Sequence, residues 1–142
     1  MKTIKMIFFA AIMCTVCFSC KTTDAATKPA NKNAAQYKAV AEALNANCPA
    51  TVEENVVMTG ISFSEEKNEF RYVYRIENIK KSDIDEKAFE ALKTSAEAGL
   101  TQNLKASKEL DQWRADNVTL IFDYKGSDNK DLFTIRLAPG EY

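Results

Sequence analysis

Between Val56 and Ile76, and again between Val118 and Leu137, large apolar residues recur at every second position on either side of a polar turn. In the first stretch Phe70, Tyr72, Tyr74 and Ile76 alternate with Arg71, Val73 and Arg75. In the second, Val118, Leu120, Phe122 and Tyr124 precede the turn Lys125–Lys130, and Phe133, Ile135 and Leu137 follow it. Successive strand side chains point to opposite faces, so each stretch predicts a two-faced hairpin. Helical spacing flanks each one. Tyr37, Val40, Ala41 and Leu44 predict a short helix from Ala34 to about Asn47, stopped by Pro49. Phe89, Leu92, Ala96, Leu100 and Leu104 predict a longer one over about 84–106, opened by the acidic turn Ser82–Asp85. The order α-β-β-α-β-β implies an α+β domain: a four-stranded antiparallel sheet with both helices packed on one face. Its other face would carry Arg71, Arg75, Asp123 and Arg136.

The first 33 residues lack this patterning. Lys2 and Lys5 precede an uncharged apolar run to Ser19, too short for a comfortable bilayer span and suited to a secretory signal. Cys20 follows the small Ser19 at the end of that run, which resembles the lipobox of bacterial lipoproteins, although Cys17 stands where leucine is usual. The resemblance implies a signal peptide over 1–19, lipidation of Cys20 and a membrane anchor. Lys21, where an aspartate would favour inner-membrane retention, implies the outer membrane. Residues 21–33 contain no large apolar side chain, so 20–33 reads as a lipidated cysteine and tether, and 34–142 as the single folding domain. With Cys14 and Cys17 removed and Cys20 acylated, Cys48 is left alone, as a small apolar residue or a thiol able to pair with another molecule.

Cys48-Pro49, the Tyr72-Val73-Tyr74 strand, the alanine-rich helix and the Phe122-Asp123-Tyr124 hairpin are similar to a pattern found in small uncharacterised bacterial lipoproteins and secreted proteins. The similarity spans about residues 48–137. It implies an α+β domain and an envelope location, and brings no activity. The cysteines that the pattern tends to carry near the final hairpin and the C-terminus are absent here.

Composition narrows the functional classes. The chain has no histidine, which removes imidazole base catalysis, Ser-His-Asp and Cys-His mechanisms, and His-dependent zinc sites. After Asn33, 14 basic residues face 19 acidic ones, a net of −5 that argues against nucleic acid as a partner. Asp123, Asp128, Asn129 and Asp131 surround Gly126 without EF-hand spacing and suit a hairpin turn, so no metal or cofactor is expected. The Phe70–Ile76 stripe reads first as core and second as a tyrosine-bearing binding surface. Arg71, Arg75 and Arg136 form the candidate partner surface. The sequence thus leads to a lipid-anchored, non-enzymatic envelope accessory. The alternatives are an inhibitor or chaperone-like module capping another envelope protein, and then a carboxylate-dependent enzyme.

Overall fold

The computed structural model describes residues 31–142, so the leader, Cys20 and most of the tether lie outside the described residues. The chain forms α1 (Ala34–Asn45), β1 (Ala50–Glu53), β2 (Val56–Ser64), β3 (Glu69–Ile76), α2 (Glu86–Ala106), α3 (Asp111–Ala115), β4 (Thr119–Gly126) and β5 (Asp131–Leu137). Both expected hairpins are present, as β2–β3 and β4–β5. Asn68 and Asn129, with φ of 54° and 60°, turn them through the left-handed region that asparagine tolerates. Asp85 caps α2 by accepting from the Ala88 amide at 2.8 Å. Among the described residues, no helix is long and apolar enough to cross a membrane.

The expected four-stranded antiparallel sheet is corrected in two ways. The sheet has five strands in the order β1-β2-β3-β4-β5, because Ala50–Glu53 pairs with the start of β2 across a turn at Asn55. Four residues next to a proline are too short to show alternation. Moreover, β3 and β4 run parallel. Helix α2 lies between the two hairpins and carries the chain back along the sheet, so β4 starts at the end where β3 starts. This is the crossover that parallel strands require. The short α3 is a third helix that was not expected.

The core lies on one side of this mixed sheet. Helix α1 packs on β2 and α2 on β5, and both feed one apolar cluster with Phe70, Leu120, Phe122 and Ile135 at its centre. Gly126 sits where a Cβ would come within 2.9 Å of the Ile79 carbonyl oxygen, so only glycine lets the connection after β3 cross β4. The Ser127 amide donates to that same carbonyl at 2.8 Å.

Candidate functional site

Two helices seated on β2 and β5 leave the middle of the sheet between them. Three strand intervals separate those strands, about 14 Å at the usual spacing, whereas packed helices approach to about 8–10 Å. By that spacing the helices leave a cleft between them over β3, whose two tyrosines are incompletely covered. Tyr72 stacks on Phe122 with ring centroids 5.2 Å apart, and Tyr74 on Tyr124 at 5.3 Å. Phe122 and Tyr124, beside them on β4, are buried, while Tyr72 and Tyr74 remain half-buried. The Phe70–Ile76 stripe therefore divides: its outer members Phe70 and Ile76 are core, and its two tyrosines form the cleft floor.

One end of the cleft is sealed. Trp113 lies 5.0 Å from Tyr37 and 4.7 Å from Phe70, and Phe63 packs on Tyr37 at 5.5 Å. Tyr142 closes the same end, donating from its hydroxyl to the Val118 carbonyl at 2.6 Å. A polar hub reinforces the seal. The Asp116 carboxylate accepts from Asn33 Nδ2 at 2.7 Å, Tyr37 Oη at 2.5 Å and Gln112 Nε2 at 3.0 Å. Burial alone would raise its pKa, but these three donors more than offset it and hold the carboxyl below its ordinary range. Sequence reading missed this hub. Its only signal was the recurrence of Asn and Asp at 31, 33, 68, 116 and 117, which turn formation explains equally well.

The other end is open. Of the 21 residues of α2 only Leu100 and Leu104, in its second half, are fully buried. Phe89, Leu92 and Ala96 in the first half are half-buried, as are Leu44 and Cys48 beyond the sealed part of α1 and Met58 on β2. Phe89 still meets Phe133 edge-on at 5.9 Å. Among the described residues the hydroxyls of Tyr72, Tyr74 and Tyr124 have no hydrogen-bond partner, yet no side-chain polar atom there is both buried and unpaired. These hydroxyls therefore reach solvent through the cleft. Burial pushes all three phenols well above their ordinary pKa; the surrounding tyrosines and Cys48 add to the effect at Tyr74, and Glu53 adds at Tyr124. The floor is thus neutral: apolar ring area with hydrogen-bonding tips. Burial likewise raises the Cys48 thiol, whose sulfur lies 3.8 Å from the Leu44 carbonyl.

The arginines singled out from sequence lie on the opposite face, which is helix-free among the described residues, each beside a carboxylate. Arg71 donates to Asp123, which also accepts from Thr134 at 2.6 Å. Arg75 donates to Glu77 at 2.8 Å, and Arg136 to Glu69. Ile121, flanked in register by Arg71 and Arg136, is only 2% exposed. Long arginine stems beside it can contribute to that cover. At the second hairpin, Asp131 pairs with Lys125 at 2.5 Å.

Two solved structures share this fold. One is a protein of Pseudomonas aeruginosa assigned as secreted, with a TM-score of 0.64 and 14% identity, covering 82% of this chain and 98% of that one. The second is EpsS, the pilotin of the type 2 secretion system of Vibrio vulnificus, with a TM-score of 0.55 and 13% identity, covering 79% and 93%. At these identities the likeness is one of fold. No curated protein matches the chain. A family model does match over residues 30–133, from just before α1 into β5, and the chain belongs to that family, the domain of unknown function DUF8479.

Proposed function

We propose that this protein is a lipid-anchored, non-enzymatic accessory of the cell envelope, attached through Cys20 to the outer membrane, that holds an apolar segment of another envelope protein in the tyrosine cleft. The observation that carries this reading is the half-open floor of Tyr72 and Tyr74. Stacked aromatic area with unpartnered hydroxyls is costly to leave in water and suits recognition. The fold likeness to a secretion-system pilotin supports an envelope partner.

The walls favour an uncharged occupant. Helical spacing places Glu86, Glu90, Lys93 and Glu97 along one flank of α2 and Ala88, Ala91, Ser95 and Gly99 along the other. A right-handed β3–α2–β4 crossover turns the small flank toward α1. On α1, Lys38, Glu42 and Asn45 line a shallow hollow of about 150 Å³ with Ile61, Ser62 and Phe63, on the flank away from α2. The remaining flank presents Val40 and Ala43 to the cleft. A charged side chain entering would lose hydration and find no counter-ion. A row of aliphatic side chains from a partner helix would fit between α1 and α2 with no such penalty.

Photocrosslinkers introduced at Ala91, on the cleft flank, and at Glu90, on the outer flank, test this in intact cells. An adduct from position 91 that is weak at 90 and lost on Tyr74→Arg is expected. Equal adducts from both positions, or none, would remove the cleft reading. Palmitate labelling that is blocked by globomycin and absent in Cys20→Ala is expected for the anchor. A second reading puts the partner on Arg71, Arg75 and Arg136. Their existing carboxylate partners leave an incoming acid less to gain, so the cleft is preferred.

A further inference from the structure

The start of the described chain is held to the domain by side chains. Asn31 donates through Nδ2 to Asn68 Oδ1 at 2.8 Å, and Asn68 donates in turn to the carbonyls of Asp116 and Asn117, both at 2.9 Å. Two residues on, Asn33 is held by the Asp116 hub. These bonds stitch the start of the described chain to the β2–β3 turn and to the α3–β4 turn. Both turns lie at the sealed end of the cleft, beside Tyr37, Trp113 and Tyr142. The open end lies at the far ends of β3 and β4, about 26 Å away for strands of eight residues.

We infer that the anchored domain stands with its sealed end toward the bilayer, so that the cleft opens away from the membrane and takes its partner segment from that side. This rests on the Cys20 anchor proposed above. Ten residues separate Cys20 from Asn31, a covalent leash of at most about 40 Å. Bringing the open end down to the bilayer would use some 26 Å of that reach along the length of the domain. With the sealed end down, the whole reach remains between the bilayer and Asn31. Loss of the Asn31, Asn33 and Asp116 bonds would free further residues up to the start of α1 and weaken the bias. The device is thus a fixed exit point that sets which end of the cleft faces the bilayer.

The test uses the full-length lipidated protein in phosphatidylglycerol–phosphatidylethanolamine vesicles carrying a headgroup quencher. A fluorophore is placed on Lys67→Cys, in the β2–β3 turn, or on Ser82→Cys, just ahead of α2, each in a Cys48→Ser background. Several-fold stronger quenching at 67 than at 82 is expected, with the gap narrowed by Asn31→Ala combined with Asp116→Ala. Equal quenching at the two positions, or stronger quenching at 82, in protein that does enter the vesicles overturns the orientation alone. Protein that does not enter the vesicles at all overturns both the anchor and the orientation. A gap that the double substitution leaves unchanged removes the stitched exit as its cause.

Discussion

At the sealed end of the α1–α2 pair, aromatic rings from α1, β2 and β3 gather around Trp113 of α3, and both carboxylate oxygens of Asp116 accept from donors. At the open end, helix α2 keeps a comparable apolar stripe, yet Phe89, Leu92 and Ala96 stay half-buried, as do Tyr72 and Tyr74. The same two helices and the same strands thus bury the apolar stripe of α2 fully at one end and only in part at the other, although Ile76, Tyr124, Leu132 and Phe133 are buried at the open end. The difference teaches where stability resides. Burial that is complete stabilises the fold, and burial left incomplete contributes less.

Truncating the seal gives the largest expected effect. Trp113→Ala removes the ring shared by Tyr37 and Phe70 and is expected to cost about 3–5 kcal/mol in urea unfolding. A loss below about 1 kcal/mol, the range of an ordinary surface change, would show that the two ends do not differ as described. Next comes the hub. Asp116→Ala leaves three donors without their acceptor and is expected to cost about 1–3 kcal/mol.

That hub also predicts a pH dependence. The folded-state pKa of Asp116 is lowered, so its contribution is fully present above the unfolded value of about 3.9 and is lost as pH falls through the lower folded value. Thermal unfolding followed from pH 6 down to acid should therefore show a smaller acid-induced drop in Asp116→Asn than in the wild type. An identical drop would remove Asp116 from the account.

The open end should tolerate change. Leu92→Ala trades a half-buried side chain for a better helix former and is expected to cost about 1 kcal/mol or less, while weakening the crosslink from Ala91. The smallest effect belongs to the helix-free face. Arg71→Ala breaks an ion pair whose arginine side chain is 41% exposed, and about 0–1 kcal/mol is expected. A larger loss there would mean that cover over Ile121 matters more than the charge.

Much of the local structure was legible. The two-residue period of β3, β4 and β5 and the helical spacing of α1 and α2 each follow from where apolar side chains must point, and the helix limits agree to within about two residues. Strand β1 was not legible, because four residues carry too little periodicity. The parallel join of β3 to β4 was not legible either, since an antiparallel and a parallel return demand the same alternation within each strand. Of the site, Tyr72 and Tyr74 were visible as a stripe with two readings. That Phe70 and Ile76 are buried while Tyr72 and Tyr74 are only half-buried depends on where α1 and α2 land. Asp116 carried no mark of its own, since its donors come from Asn33, Tyr37 and Gln112, two of them more than seventy residues away.

By itself the sequence determined what each segment could become. It set which residues form strands and helices, which faces are apolar, where charge is excluded, and that histidine chemistry is absent. Only the tertiary structure decided how the segments share one apolar surface: β3 beside β4, α1 on β2, α2 on β5, and three rows of strand spacing between the helices. The physical reason is range. Periodicity records the torsions and neighbours of a few residues, whereas a cleft is a shortfall of cover between elements that meet only after the chain has folded.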